Sequence, residues 1–438
     1  MPTVSFHTLG CKLNYTETST VAREFDVRGF SRVPFGEAAD VSLINTCTVT
    51  EQAEQTCRNA IRRALRANPE AFVIVTGCYA QLRPEQIAGI DGVDAVLGAT
   101  EKFKLFGLIE SFAKREQTQI AVSCIDDVAD FGPSYSAGDR TRAFLKVQDG
   151  CDYSCSFCTI PKARGRSRSH PVEATVDHAR RLADQGVREI VLSGINIGLY
   201  GLEHGTDFLE LVQAMDRVEG IDRFRISSIE PNLLSDALID FVAGSERFQP
   251  HFHIPLQSGD NDVLAKMRRR YKRALYTSRI ERIKRLMPHA GIGVDVIVGF
   301  PAETPERFEN TFDYLADLPV SYFHVFTYSE RPDTTAVDRL DRMGGTPVPK
   351  QERKTRSKRL RLLSEKKKHQ FYVDHLGQTR PVLWEGSASN GRMTGYTDNY
   401  IRAETPFDAT LAGTIEPVTL QELTERGTVA AGLLFSLV

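Results

Sequence analysis

The sequence predicts an α/β protein with three parts: an N-terminal parallel α/β domain, a central partial (β/α)6 barrel and a small C-terminal antiparallel β-barrel. Strand and helix signals alternate from the N-terminus to Tyr328, and about six such units follow residue 143. The last 60 residues contain only short strand signals between glycine-rich turns. A chain of 438 residues is long enough for about three domains.

In the first segment, a cysteine follows each of three strand signals. VSFHTL, VSLINT and FVIVTG end at or just before Cys11, Cys47 and Cys78, and YTETSTVAREFDVRG and QAEQTCRNAIRRALRAN are predicted helices. Strands that alternate with helices form a parallel sheet, and ligands gather beyond the carboxyl ends of its strands. We therefore expect the three cysteines to converge on one spot.

The central segment begins after a predicted linker at residues 124–141, which is rich in Gly, Pro, Ser and Asp. Strand signals then recur in AFLKVQDG, REIVLSG, DRFRISSIEP, FHIPLQSG, GVDVIVGFP and YFHVFTYS, with a long basic helix before GVDVIVGFP. A full eight-unit barrel needs roughly 250 residues, so this shorter segment predicts a partial barrel. Its functional groups should lie at the carboxyl ends of the strands.

The C-terminal segment begins with a linker and a strongly basic helical stretch, QERKTRSKRLRLLSEKKKHQFYVDHL. Short strand signals then alternate with Gly-rich turns, which predicts a small antiparallel barrel. We place the three domains at residues 1–130, 140–345 and 370–438, with the basic helix at 350–369.

The composition excludes several classes of protein. With 41% hydrophobic and 26% charged residues, the chain is typical of soluble globular proteins. No apolar run approaches the roughly 20 residues that cross a bilayer, and the first residues lack the pattern of a secretory signal. We therefore expect a cytoplasmic protein without a membrane partner, whose eight cysteines form no disulfides.

Three further cysteines, Cys151, Cys155 and Cys158, lie directly after the first barrel strand. Three thiolates on one short loop can hold three corners of a cubane iron–sulfur cluster and leave its fourth iron open. Zinc is the alternative, but a structural zinc site takes four ligands, and His170 is twelve residues beyond Cys158.

The C-x3-C-x2-C spacing at the first strand of a partial barrel resembles the radical S-adenosylmethionine superfamily. Other motifs resemble the methylthiotransferases of that superfamily: GCKLN at Gly10–Asn14, NTCTVT at Asn45–Thr50, GCYAQ at Gly77–Gln81, LSGINIG at Leu192–Gly198, SSIEP at Ser227–Pro231, HIPLQSG at His253–Gly259 and VIVGFPAET at Val296–Thr304. Ala302 departs from the usual GFPGET of the family. The C-terminal barrel resembles a TRAM domain, which is an RNA-binding module.

The resemblance implies two [4Fe–4S] clusters and S-adenosylmethionine as cofactors, and no catalytic side chain beyond the clusters. One cluster would be held by Cys151, Cys155 and Cys158 and the auxiliary one by Cys11, Cys47 and Cys78. The resemblance also implies S-adenosylmethionine contacts from Gly194, Asn196, Ser227, Gln257 and Gly299. Turn chemistry explains each of these five residues equally well when it is considered singly. Cys57 and Cys124 match no ligand motif and are expected to be structural and buried.

The first cysteine motif distinguishes three branches of the family, which usually read GCKxN, GCQMN or GCPKN. GCKLN resembles the branch that modifies N6-threonylcarbamoyladenosine at position 37 of tRNA, next to the anticodon. The alternatives are the branches acting on N6-isopentenyladenosine or on a ribosomal-protein aspartate, and, outside the family, a non-catalytic iron–sulfur protein that binds RNA. The implied partners are the tRNA anticodon stem-loop and an electron donor such as flavodoxin or ferredoxin.

Basic residues form two clusters, at residues 266–273 and 350–368. Each cluster is either a solvated face or a set of phosphate contacts. Arg164, Arg166 and Arg168 follow the cysteine loop and are candidates for holding a substrate phosphate or carboxylate.

Overall fold

The computed structural model of the chain describes residues 1–48, 51–138, 140–343 and 346–433. Val49 and Thr50 of the NTCTVT motif, the predicted domain boundary at residue 345 and the end of the last predicted strand lie outside the described residues. Within these ranges, no helix has the length and apolar character that crossing a membrane requires.

The N-terminal domain is a parallel sheet of six strands in the order β2-β1-β3-β4-β5-β6. Its strands are β1 (Thr3–Thr8), β2 (Ser31–Arg32), β3 (Val41–Thr46), β4 (Phe72–Gly77), β5 (Ala95–Leu97) and β6 (Gln119–Ala121), and its helices are α1 (Lys12–Val27), α2 (Glu51–Ala67), α3 (Cys78–Leu82), α4 (Pro84–Ala88) and α5 (Leu105–Leu108). The predicted parallel α/β sheet is confirmed. The short strands β2, β5 and β6 were not predicted.

Helices cover both faces of this sheet. Ile44 and Val73 pack with Cys57 and other residues of α2 on one face, whereas Leu43 and Phe72 pack with α1 on the other. Consecutive residues of each strand thus point into opposite cores, which explains the unbroken apolar run at the start of β4 and the full burial of both strands.

The central domain contains six parallel strands, as predicted for a partial barrel. They are β8 (Ala143–Lys146), β11 (Glu189–Ser193), β12 (Arg223–Ile226), β13 (His251–Gln257), β14 (Gly291–Val298) and β15 (Tyr322–Thr327); β9 (Gln148–Asp149) and β10 (Arg168–Ser169) form a small antiparallel pair beside them. The helices are α6 (Ile160–Arg164), α7 (Val172–Asp184), α8 (Phe208–Met215), α9 (Asp236–Gly244), α10 (Asn261–Lys266), α11 (Arg273–Leu286) and α12 (Pro305–Asp317). Bridges at Phe224↔Phe248 and Ser228↔His253 join β8-β11-β12 to β13-β14-β15.

Two details of the central segment differ from the prediction. Part of the predicted linker forms β7 (Ser134–Tyr135), which pairs antiparallel with the edge strand β8. The predicted long basic helix is two helices, α10 and α11, because Arg268 adopts a left-handed conformation with φ 58° between them.

The C-terminal part consists of α13 (Thr335–Asp338), α14 (Leu340–Met343), the basic helix α15 (Lys350–Val373) and a closed barrel. The barrel strands are β16 (Thr379–Ser389), β17 (Arg392–Thr397), β18 (Arg402–Pro406), β19 (Ile415–Leu423) and β20 (Val429–Leu433). All neighbouring strands are antiparallel except β18 and β20, which run parallel. The predicted small barrel is confirmed, and it closes around the buried Trp384.

A buried ion network joins the N-terminal domain to the central barrel. Glu17 of α1 accepts from Lys102 at 2.6 Å and from Arg164 at 2.9 Å. On the barrel side, Asp149 accepts from Arg164 at 2.9 Å and from Lys146 at 3.1 Å. Burial alone would raise the pKa of Glu17, but Arg164, Lys102 and Lys146 hold it well below its ordinary value.

The network corrects the prediction for two of the three arginines after the cysteine loop. Arg164 is enclosed between the domains, and Arg168 is buried and donates to the carbonyl oxygens of Arg164 and Arg166. Neither is free to hold a substrate phosphate or carboxylate, so the prediction is wrong for both. Arg166 is exposed.

Replacing Glu17 by Ala leaves buried cations without their carboxylate, which costs about 3–5 kcal/mol in comparable sites. We expect urea denaturation at pH 7 to show a loss of stability of this size. Asp177→Ala removes an exposed ion pair with Arg180 and should cost less than about 1 kcal/mol. Because the folded-state pKa of Glu17 is depressed, its contribution is present at neutral pH and is lost as the pH falls below 4.5. Equal losses of stability in the two variants would contradict the stabilising role assigned to Glu17 in the buried ion network.

Candidate active site

The three cysteines of the N-terminal domain lie at one edge of its sheet. Strands β1, β3 and β4 are neighbours, and Cys11, Cys47 and Cys78 follow their carboxyl ends. Cys11 is the N-cap of α1, and Cys78 is the first residue of α3. The predicted convergence of the strand ends is therefore present in the structure.

Glycines let the backbone pass close to these cysteines. Gly10 has φ 96°, and a Cβ atom there would lie 2.8 Å from the Cβ of Cys47. Gly77 has φ 97°, and its Cβ would lie 2.4 Å from Oδ1 of Asn45. A larger residue at either position would separate the strand ends, which explains the Gly-Cys pairs at positions 10–11 and 77–78.

Two of the three thiols differ in their access to solvent. Cys11 is exposed, whereas Cys78 is buried. Burial raises the pKa of the Cys78 thiol, and the nearby Arg164 guanidinium opposes this rise. Arg164 therefore links the ion network to this cysteine set.

The second cysteine set lies on the loop after β9. The backbone N–H of Tyr153 donates to Sγ of Cys151 at 3.4 Å, and that of Ile160 donates to Sγ of Cys158 at 3.4 Å. Such bonds stabilise a thiolate. Burial nevertheless raises the pKa of Cys158 to about 12, so binding of a metal must displace a proton there.

Arg269 reaches the same loop from the segment between α10 and α11. It donates to Sγ of Cys155 at 3.1 Å and forms an ion pair with Glu230, and its side chain is almost fully buried. This arginine belongs to the basic cluster at 266–273, which was predicted to face solvent or phosphate. For Arg269 that prediction is wrong, because its partner is a cysteine sulfur.

The spacing of the thiols argues against a preformed zinc site. Of the described His, Cys, Asp and Glu side chains, only His253, Asp295 and His324 bring three ligand atoms within 4.8 Å of one another. Zn–S bonds of about 2.3 Å would hold the sulfurs of a tetrahedral site about 3.8 Å apart. In neither cysteine set do all three sulfurs lie within 4.8 Å of one another, so neither set is closed to the spacing of a tetrahedral zinc site.

Three of the five residues predicted to contact S-adenosylmethionine lie beside the cysteine loop or line the neighbouring cavity. Nδ2 of Asn196 lies 3.6 Å from Sγ of Cys151, and Gly194 and Ser227 line the cavity described below. Oδ1 of Asn196 and Oγ of Ser227 are buried without a hydrogen-bond partner among the described residues. Unpaired buried polar atoms are costly, so these two are candidates for a ligand.

The other two residues predicted to contact S-adenosylmethionine do not line the cavity. Gln257 adopts φ 66° at an irregularity between β13 and β14. Gly299 packs against α15, since a Cβ atom there would lie 2.3 Å from Cγ of Arg353. Their roles remain predictions.

A cavity of about 970 Å³ occupies the interior of the open barrel. Cys11 lies on its wall, together with the strand ends of β11 and β12. Its lining contains several cations, namely Lys12, Arg140, Arg142, Arg225, Lys368 and Arg402. Among the described residues that line the cavity, Asp295 is the only acidic one. The cavity therefore favours an anionic or electron-rich ligand.

Aromatic side chains form one wall of this cavity. The ring of Tyr400 stacks on His251 with centroids 4.2 Å apart and on Tyr396 at 4.6 Å. Tyr400 has φ 76°, an uncommon conformation for a large residue, which often marks a functional site. Flat faces of this kind can stack on an unpaired base.

Sequence reasoning missed Lys12, Arg142, Tyr396 and Tyr400. Lys12 lies inside the GCKLN motif. Its position next to the predicted ligand Cys11 could have identified it as a residue of the site. The two tyrosines come from the C-terminal barrel, and no sequence pattern linked them to the cysteines.

Comparisons with known proteins agree with this geometry. Residues 3–98 match a family described as Uncharacterized protein family UPF0004, and residues 145–315 match the radical SAM superfamily. Threonylcarbamoyladenosine tRNA methylthiotransferase MtaB of Bacillus subtilis (strain 168) is 39% identical over 412 residues, covering 92% of this chain and 90% of that protein. The chain belongs to the radical S-adenosylmethionine methylthiotransferase family.

Other members and one solved structure extend the comparison. MtaB of Aquifex aeolicus (strain VF5) is 38% identical over 91% of this chain and 95% of that protein. A tRNA-2-methylthio-N(6)-dimethylallyladenosine synthase of Syntrophotalea carbinolica is 31% identical over 96% of this chain and 97% of that protein. The radical S-adenosylmethionine methyltransferase TsrM of Kitasatospora setae has a TM-score of 0.57 at 15% identity, covering 74% of this chain and 73% of that one, and shares its fold.

Membership of this methylthiotransferase family makes the chain an enzyme that uses [4Fe–4S] clusters and S-adenosylmethionine. These predictions are confirmed. The residues present fit the cofactors, because two separate sets of three thiols and unpaired polar atoms beside one of them are available.

The two remaining cysteines, Cys57 and Cys124, differ in their burial. Cys57 is fully buried in the core beneath α2, as predicted, and burial raises its pKa to about 12. Cys124 is exposed, so the expectation of burial is wrong for it.

These environments predict thiol reactivity in the iron-free protein. At pH 8, a pKa of about 12 leaves roughly one Cys57 in ten thousand as thiolate, whereas Cys124 is accessible. We expect anaerobic iodoacetamide labelling, followed by peptide mass spectrometry, to modify Cys124 quickly and Cys57 only after unfolding. Equal labelling of both in the folded protein would contradict the closed core around Cys57.

Proposed function

We propose that this chain transfers a methylthio group to C2 of N6-threonylcarbamoyladenosine at position 37 of tRNA, next to the anticodon. The observation that carries the proposal is the cavity, in which Cys11, polar strand ends and a cationic, aromatic interior share one space. The names of relatives at 39% and 38% identity support the same substrate.

In this proposal Cys151, Cys155 and Cys158 hold one [4Fe–4S] cluster, and Cys11, Cys47 and Cys78 hold the auxiliary one. When bound, the clusters and S-adenosylmethionine supply the radical chemistry that opens an inert C–H bond and delivers the methylthio group.

The chain's own side chains would orient the cofactor and exclude water. Asn196 and Ser227 offer unpaired polar atoms to S-adenosylmethionine. Arg269 places a positive charge on the sulfur of Cys155. Behind the loop, Phe157 packs on an apolar group that includes Phe300, and this packing limits access of water.

The tRNA would bind along α15 and the C-terminal barrel, which we propose to be a TRAM-like module. Within the basic stretch, Arg353 and Arg356 are buried and paired with Glu330 and Glu303, so they serve the fold. Exposed lysines of α15 remain available for phosphates, among them Lys354, Lys358 and Lys366.

The proposal includes two further predictions. Electrons come from a small donor such as flavodoxin or ferredoxin, and the enzyme works in the cytoplasm, where its tRNA substrate is found.

The alternative substrate is N6-isopentenyladenosine. A relative named tRNA-2-methylthio-N(6)-dimethylallyladenosine synthase is 31% identical, against 39% for the MtaB relative. The charged interior of the cavity favours the threonylcarbamoyl group, because a hydrocarbon arm would leave buried polar groups unpaired.

Nucleoside mass spectrometry tests the substrate directly. The chain is expressed in a host that lacks its own methylthiotransferases, and 2-methylthio-N6-threonylcarbamoyladenosine should appear in its tRNA. Formation of the methylthio-isopentenyl nucleoside alone would favour the alternative. If neither nucleoside forms in cells whose protein contains iron, the proposed function is wrong.

Iron content tests the proposed ligands. Replacing Cys151 or Cys47 by Ala should lower the iron of the anaerobically reconstituted protein from about eight to about four atoms per chain. Cys57→Ala and Cys124→Ala serve as controls and should leave about eight. Retention of full iron and of the cluster absorbance in Cys47→Ala would exclude that residue as a ligand.

A further inference from the structure

We infer that Lys12 binds the carboxylate of the substrate's N6 arm and that the interior of the open barrel is the pocket for this arm. The inference rests on the proposed function, since it concerns the acidic arm of N6-threonylcarbamoyladenosine. It assigns a recognition residue for the substrate, distinct from the cofactor ligands.

Lys12 has a position that suits this role. It follows Cys11 directly, begins α1 and lines the cavity. Its ammonium lies 5.9 Å from the ring centre of Phe144. Among the residues that the structure describes, no hydrogen bond or ion pair engages this ammonium, and the residue keeps accessible surface toward the cavity. A cation in this state is available to a ligand.

Two arginines of the lining are already engaged by other groups. Arg225 donates to Glu189 at 2.8 Å and to the carbonyl oxygen of Asp398 at 2.7 Å. Arg142 donates to Glu385 at 3.4 Å and lies over the ring of Tyr396. Both hold the C-terminal barrel against the central one, so their charges are largely balanced.

The three other cations of the lining lie against aromatic rings. Arg140, which precedes β8, lies over the ring of Tyr15 at 4.5 Å. On the side formed by C-terminal elements, Lys368 lies over the ring of Tyr372 at 5.2 Å, and Arg402 lies near the ring of Tyr396 at 6.0 Å. None of the three is next to a cysteine in the sequence. The reacting carbon and the N6 arm belong to the same base, so the cation that meets the arm must lie close to the clusters. Lys12 meets this condition because it is the residue after Cys11.

The wall of the pocket suits the remaining groups of the arm. Nε2 of His253 lies 2.8 Å from Oδ1 of Asp295, and the ring of His324 stacks on that of His253 at 5.4 Å. All three side chains line the cavity. Hydroxyl and amide groups can pair with such a wall, whereas a hydrocarbon arm cannot, and a site built for polar groups rejects an analogue that lacks them.

Binding measurements test the inference without turnover. The reconstituted protein is titrated with three anticodon stem-loops, which carry unmodified adenosine, N6-threonylcarbamoyladenosine or its threonyl methyl ester at position 37. We expect the protein to prefer the free acid over both others. Lys12→Gln should weaken binding of the free acid about tenfold to a hundredfold, because a charge-assisted hydrogen bond is lost, and leave the other two ligands unchanged.

Matched variants separate recognition from cluster binding. Lys12→Arg keeps the positive charge and should retain most of the preference, and Lys104→Gln removes an exposed charge from the same domain and should behave like the original protein. Iron content is measured for each variant. If Lys12→Gln lost iron, the stem-loop with the methyl ester would still test whether the original protein requires a free carboxylate. Equal binding of the acid and the ester by the original protein would overturn the inference.

Two outcomes distinguish the inference from the proposed function. If the original protein prefers the threonylcarbamoyl stem-loop and Lys12→Gln retains that preference in full, the inference is wrong and the proposed function stands. If the original protein shows no preference for the threonylcarbamoyl nucleoside, the proposed substrate fails, and the inference fails with it.

Discussion

The relative position of the two cysteine sets depends on one buried ion network. Glu17 and Lys102 come from the N-terminal domain, Lys146, Asp149 and Arg164 come from the barrel, and all five are excluded from water. Within this group three cations face two carboxylates, and the excess positive charge lies near the cysteine set that contains Cys78. Positive charge favours thiolates over thiols, and therefore favours thiolate-ligated clusters. Sliding of one domain past the other would leave buried charges unpaired, so the network permits few alternative arrangements.

The incomplete barrel explains why a polar cavity exists at all. In a full eight-stranded barrel, layers of branched apolar side chains fill the interior. Here six strands leave the interior open, and several of the strand positions that line it are polar, for example Arg225, His253 and Asp295. Helix α1 and the C-terminal barrel supply the missing walls. The site is therefore assembled from three domains, and none of them contains it alone.

The sequence predicted those parts of the structure whose signals are local. Strand signals identified β3 and β4, the latter from a continuous apolar run, and the rule that parallel strands end at one edge predicted the convergence of their cysteines. Strands of two or three residues, such as β2 (Ser31–Arg32), carry no usable periodicity. The burial of Arg164 depends on Glu17, 147 residues earlier in the chain, and that of Arg269 on Cys155 and Glu230. Nothing in the neighbouring sequence distinguishes such arginines from solvated ones.

The C-terminal barrel is part of the site as well as the surface that we propose for RNA. Arg223 donates to the carbonyl oxygens of Tyr396 and Pro381, and Arg225 donates to that of Thr397 at 2.7 Å. These bonds run from β12 to the turn that carries Tyr400, whose left-handed conformation directs its ring onto His251. Because Ser227 directly follows the same strand, the aromatic wall and the cofactor side of the cavity are fixed to one element. In the proposed function, a base stacked on Tyr400 would therefore be positioned by the same element that carries the residues of the cofactor side.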